Sequence, residues 1–357
     1  VFAPKDRRKK ITVKRLLSFY ILISLVLLTV LAATGCQRFR QGRNDGRITV
    51  TSLTFPSYDF VRAIAGDRVS LTLLTSPGME SHSFEPSPRD IINIRDSDLF
   101  IYPGGEGADW LHRIFEAAGI ANGTSNRSSE DHGPKVLRML EMVEGLEEEF
   151  VEGMEVYHGY DHDQHHHHDH EHHGHDEHHD EVELDEHVWT SPRNAILIVS
   201  ALAEVLAELD PANAAFFQSN AAAYIAQLRE QDTALQAVVS GARRNLILVG
   251  DRFPFRYLAH HYGLEYYAAF SGCSTDTEPS AATVAFLINT VRREQLPVVF
   301  HIELSNERIA DTISEATGAR KLLLHSAQNV SMEEFTAGLT YLDILRNNVE
   351  TLREALW

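Results

Sequence analysis

Residues 211–239 read PANAAFFQSNAAAYIAQLREQDTALQAVV, an alanine-rich stretch with no interior glycine or proline. At about 1.5 Å per residue, a helix over this stretch is about 40 Å long, close to the width of a domain. Asp210-Pro211 supplies its start: a capping carboxylate, then a residue whose φ is already helical. Ser191-Pro192 opens an earlier helical region in the same way. A helix is a stiff connector, unlike a Gly/Ser tether, so the parts on either side should move little against each other.

Outward from this rod, short apolar runs alternate with helical patterns on both sides. Before it, residues 48–53, 69–75, 99–104 and 136–142 read as strands, with helices near 58–65, 88–95 and 108–118. After it the scheme repeats, with strands at 245–250, 264–270, 298–303 and 321–325 and helices at 256–262, 279–293, 307–317 and 332–356. Such alternation predicts parallel sheets covered on both faces. The expected fold class is α/β: two lobes, each a parallel sheet flanked by helices, joined by a long rigid helix. The first lobe is placed at 48–190, the linking helical region at 191–243 and the second lobe at 244–357.

The N-terminus reads as a targeting segment rather than part of the fold. The basic stretch KDRRKKITVKR (5–15) leads into the apolar run LLSFYILISLVLLTVLAATG (16–35), which ends at Cys36. Small residues before that cysteine resemble a bacterial lipoprotein cleavage box, so 1–35 is expected to be a signal peptide and Cys36 the lipidated residue, with 36–47 a polar tether. The competing reading is an uncleaved anchor, since about twenty apolar residues span a bilayer. Lipidation leaves Cys273 alone and excludes an internal disulfide.

The chain of 357 residues carries a net charge of −19; its first 35 residues hold an excess of six positive charges, so the remainder stands at −25. A body that acidic repels phosphate backbones, which argues against nucleic acid as a partner. Twenty histidines point instead to metal, and 12 of them fall between His158 and His179. The surrounding tract, 158–186, lacks apolar periodicity and reads as a mobile surface insertion. It either collects several ions weakly or is a solvated tract that meets metal only incidentally.

Five candidate ligands stand at expected strand ends. His82 lies in SHSFEPSPRDI, before a helix whose Ser87 and Asp90 have capping-box spacing; His187 lies in DEHVWTSP; His325 ends the 321–325 strand; Asp251 follows 245–250; Glu303 closes 298–303. In open α/β sheets, ligands bind beyond the carboxyl ends of the strands, so facing lobes bring these groups to one cleft. Imidazoles with a carboxylate suit Zn²⁺, with Mn²⁺ also possible. Glu303 is alternatively a group that orients a ligand through a hydrogen bond. His112, His132, His260 and His261 read as ordinary polar residues.

HSFEPSP, DEHVWTSP and the late TYLDILRNNVETLREAL (340–356) together resemble the zinc/manganese ABC-transporter solute-binding lipoproteins of cluster A-I, and the His-rich tract resembles their zinc-specific branch. The resemblance runs from about Ile48 to the C-terminus. It implies one metal in an inter-lobe cleft, delivery to an ABC permease and its ATPase, a lipid anchor on the extracytoplasmic face of the cell membrane, and a monomer. His82 and His187 match the family's first two ligands, and His325 stands where the fourth is usually Asp. At the third position, aligning Phe255 and Tyr257 puts Arg252 where the family has His or Glu; Arg stays protonated and does not ligate. Asp251 or Glu303 is left to fill that place. The other classes weighed are a zinc hydrolase, disfavoured because no HExxH occurs, and a surface adhesin with a structural metal.

Overall fold

The computed structural model describes residues 46–79, 84–105, 111, 113–115, 133–154, 183–274 and 278–357. The chain divides into two units, Val1–Arg47 and Ile48–Trp357, and every element below belongs to the second. The expectations placed on residues 1–45, including Cys36, on His82 and on most of the His-rich tract lie outside the described residues. No helix among the described residues is long and apolar enough to cross a membrane.

Two four-stranded parallel sheets form the frame. In the first, β1 (Ile48–Ser52), β2 (Val69–Leu73), β3 (Leu99–Tyr102) and β4 (Lys135–Arg138) take the order β2-β1-β3-β4. In the second, β5 (Leu246–Phe253), β6 (Glu265–Ser271), β7 (Val298–His301) and β8 (Arg320–Leu323) take the equivalent order, β6-β5-β7-β8. Parallel pairs need crossovers, and helices supply them: α1 (Phe55–Ala65) and α2 (Pro88–Arg95) in the first half, α5 (Arg256–Tyr262), α6 (Ala281–Glu294) and α7 (Arg308–Thr317) in the second. Between the halves run α3 (Pro192–Leu209) and α4 (Ala214–Ser240); α8 (Met332–Ala337) and α9 (Tyr341–Leu356) close the chain. The two-lobe α/β expectation matches this architecture.

The caps read from sequence are present. Ser87 and Asp90 make a reciprocal capping box at α2, the Ser191 side chain accepts from the Arg193 N–H at α3, and Asp210 caps the turn before α4. Three details differ from the sequence reading. Residues 136–142 form only the short β4 and a 3₁₀ turn over Met139–Met142. The single helix expected over 332–356 is two, because Gly338 adopts a positive φ of 79° and Thr340 starts a new capping box with Asp343. Finally, β5 continues through Asp251 and Arg252 to Phe253, with a register shift between Val249 and Arg252.

Two helices make the frame stiff. In α4, Phe217, Ala221, Tyr224 and Leu228 pack into the core under the first sheet, and Leu235 and Val238 into the core under the second. In α9, Tyr341, Leu342, Ile344 and Leu345 join the first core, whereas Leu352, Ala355 and Leu356 join the second. Bending one lobe against the other would open apolar surface along both rods, at about 25 cal/mol per Å². Asp59, buried in α1, ties them further: it accepts from the Tyr341 N–H at 2.9 Å and the Tyr224 hydroxyl at 3.4 Å, and it pairs with Arg62. Burial raises its carboxyl above the ordinary value, with Arg62 and the Tyr341 N–H opposing.

Candidate metal centre

The segment from Glu183 to Ser191 threads between the two halves. Its backbone makes an isolated antiparallel bridge with residues 146–148, through Glu148 N–H to Glu183 O and Asp185 N–H to Leu146 O, both 2.9 Å. The Tyr257 hydroxyl, from the second half, donates to Asp185 O at 2.9 Å, and the Trp189 indole donates to Ser326 O at 2.9 Å. Tyr341 hydrogen-bonds Trp189 O. Side chains on this segment are thus held by both lobes.

His187 is fully buried. Asp185, also buried, places Oδ1 at 2.8 Å from the His187 N–H and 3.1 Å from its Nδ1. A carboxylate on Nδ1 keeps the proton there and turns Nε2 into the basic, ligating nitrogen, the arrangement found behind metal-bound histidines. Burial lowers the affinity of this imidazole for a second proton, but Asp185, Glu186 and Glu148 outweigh it and the pKa lies above the ordinary 6.5. Burial also pushes Glu186 up to about 7, with Asp185, Glu148 and Glu183 adding to the effect and His187 opposing it. The site gathers negative charge in a dry setting, which favours a cation.

The second half presents its candidates differently. His325 is buried, its backbone N–H and C=O bonded to the Asn348 side chain at 3.0 and 2.7 Å. Its Nδ1 accepts from the Ala327 N–H at 2.9 Å and lies 3.4 Å from Glu303 Oε2. Accepting at Nδ1 places the neutral ring's proton on Nε2, a buried atom with no hydrogen-bond partner. Glu303 holds the loop that carries His325: its carboxylate accepts from Ser326 N–H at 2.7 Å, from Gln328 N–H at 3.1 Å and from the Ser326 hydroxyl. Asp251 accepts from the Arg252 N–H at 2.8 Å and from Ser305, and burial raises its pKa. Arg252, where pairing resumes after the register shift, reaches Ser274 O at 3.2 Å.

Among the described residues, two groups place three candidate ligand atoms within 4.8 Å of one another: Asp185, His187 and Cys273, and Glu148, Glu183 and Cys273. Of the four sequence candidates among the described residues, only His187 belongs to either. Asp185 carried one legible signal, its place two residues before His187 in DEHVW. Cys273 carried none, since 86 residues separate it from His187. Its N–H donates to Glu148 Oε1 at 2.8 Å, and burial beside Glu186, Asp185 and Glu148 pushes the thiol pKa far up.

The chain is similar in sequence and in fold to known proteins. The sequence model of the family described as "Zinc-uptake complex component A periplasmic" matches residues 50–355. The chain is 30% identical over 332 residues to zinc-binding lipoprotein AdcA of Streptococcus pneumoniae, covering 93% of this chain but 60% of AdcA, so it spans about 60% of that relative's length. It is 27% identical over 343 residues to the high-affinity zinc uptake system protein ZnuA of Bacillus subtilis, covering 96% and 98% of the two chains. The crystal structure of the Zn(II)-bound ZnuA-like domain of Streptococcus pneumoniae AdcA superposes with a TM-score of 0.65 at 25% identity, over 87% of this chain and 99% of that one. The match over residues 50–355 shows that this chain belongs to the ZnuA family.

Proposed function

We propose that the chain captures Zn²⁺ between its lobes and passes it to an ABC permease driven by a cytoplasmic ATPase, with no bond of a substrate made or broken. His82 and His187 supply imidazole nitrogens from the first half and His325 from the second, with Asp251 or Glu303 as the carboxylate of the set. The protein works as a monomer on the extracytoplasmic face of the membrane, tethered through a lipid on Cys36. Capture is favourable because the ligands are held before the ion arrives, so little conformational entropy is lost on binding. Release then requires the permease to strain a frame that two helices hold rigid.

The observation that carries this reading is the buried His187 ring with Asp185 on its Nδ1. An imidazole fixed in this way is prepared to give Nε2 to a metal. The printed names of AdcA and ZnuA, both zinc proteins, support the choice of ion. The test is metal analysis of protein purified without chelator, beside zinc uptake by cells lacking it. Bound zinc and slowed uptake are expected. Metal-free protein that takes up no zinc on titration, or wild-type uptake in the deleted cells, would overturn the assignment.

A further inference from the structure

Resting on the reading of zinc capture through His187 and His325, we infer that Trp189 is a positioning residue that fixes the span between those two imidazoles. The indole Nε1–H donates to Ser326 O at 2.9 Å, a bond between residues 137 apart in sequence and buried at both ends. Ser326 directly follows His325, and its own N–H is held at 2.7 Å by Glu303. At the other end, Trp189 sits in the 3₁₀ turn Val188–Thr190 that begins at His187. Thr190 closes this turn on the His187 carbonyl twice, through its N–H at 3.1 Å and its hydroxyl at 2.9 Å. The Trp189 and His187 rings meet edge to face, with centroids 5.5 Å apart. Whatever holds the indole therefore holds His187.

One Zn²⁺ takes nitrogens from both rings only if each comes to about 2.0–2.1 Å from the metal, so the separation of the two loops decides the affinity. An indole suits the task of setting it: a large, rigid apolar body with a single donor, it fills the space between the loops and offers one hydrogen bond in one direction. The Trp189 carbonyl is taken by the Tyr341 hydroxyl, which stops the turn from swinging away. The loop that carries His325 needs such support. Ala327 in it adopts a φ of 63°, a conformation that a residue with a Cβ keeps only when its surroundings hold it there. Glu303 grips this loop from the second half, and Trp189 grips it from the segment that carries His187.

Zinc titration of the full-length chain against a chelating dye tests this through a double-mutant cycle. Trp189→Phe, which keeps an aromatic ring but strands Ser326 O, should weaken zinc by about tenfold or more. In a His325→Ala chain the same substitution should weaken zinc by less than about twofold, because no second imidazole is left to be placed. A side chain that only props up the fold lowers affinity equally in both chains. That result, or wild-type affinity in Trp189→Phe, overturns the bridge and leaves zinc capture standing. His325→Ala with wild-type zinc affinity overturns His325 as a ligand and the bridge with it. The unmodified chain gives the same test without a substitution. Coupling is reciprocal, so saturating zinc should slow hydrogen exchange at the Trp189 indole by a similar factor. The Trp357 indole, bonded to Val238 O at 2.9 Å, should change little. Equal slowing at both indoles, or none at Trp189, overturns the bridge; a wild-type chain that takes up no zinc overturns both readings.

Discussion

His187, at the start of a 3₁₀ turn, and His325, just past β8, are both buried imidazoles, yet they are prepared for opposite tautomers. His187 has a carboxylate on Nδ1, whereas His325 has a backbone N–H on Nδ1. The first leaves Nε2 as a lone-pair donor; the second places the proton on Nε2. To ligate through Nε2, the His325 ring has to lose its Nε2 proton to solvent, release the Ala327 N–H and take up a proton at Nδ1, which then donates to Glu303, already 3.4 Å away. One half of the molecule therefore offers a ready nitrogen and the other offers one that forms with metal entry. The His325 Nε2, buried with no hydrogen-bond partner, is an unmade bond that costs about 1–3 kcal/mol until the ring moves.

The comparison is broken most severely at His187. His187→Ala should lower zinc affinity beyond the roughly 10–100-fold that loss of an outer partner costs, read by competition against a chelating dye. Asp185→Asn, which keeps the shape and removes the charge behind Nδ1, should fall within that 10–100-fold range. If His325→Ala weakens zinc more than His187→Ala does, the two halves have been assigned the wrong way round.

Proton competition gives a smaller effect with a definite sign. The pKa of His187 is raised because Asp185, Glu186 and Glu148 outweigh burial, and its protonated, non-ligating form grows as pH falls. Zinc affinity should be full above that raised value and drop by about tenfold per pH unit below it for one displaced proton. Stability of the metal-free protein runs the other way: the folded state holds this proton more tightly, so the contribution is present at low pH and lost as pH rises through the raised value. Equal zinc affinity at pH 7.5 and pH 5 would contradict imidazole ligation. Smallest is the effect of Glu303→Gln on unfolding: the substitution should lower stability by about 1–3 kcal/mol through the 326–328 loop.

The fold was legible because each apolar run had the length and setting of a buried parallel strand, and because 211–239 has nothing to interrupt a helix. The role of α9 was less legible. Its apolar residues mark a buried face but do not say that Tyr341 and Leu356 enter different cores. At the site, His187 was legible from its motif, and Asp185 is orienting only once the turn brings its Oδ1 to Nδ1. Asp251 reads as a strand-end residue if β5 stops at Gly250. In the structure β5 runs on to Phe253, and the register shift between Val249 and Arg252 leaves Asp251 outside the paired residues, bonded to Ser305 instead. Cys273 was invisible because its nearness to His187 depends on a tertiary contact across Gly272, which no local pattern encodes.

The central claim is that one cation binds His187 through Nε2 while Asp185 keeps the proton on Nδ1. Long-range ¹H–¹⁵N spectra of the histidine rings, recorded without metal and with one equivalent of zinc, test it directly. The account predicts a His187 ring protonated at Nδ1 throughout, with its Nε2 resonance moved to a metal-bound position by the first equivalent. An unchanged His187 signal, with the first equivalent shifting only histidines between His158 and His179, would contradict it.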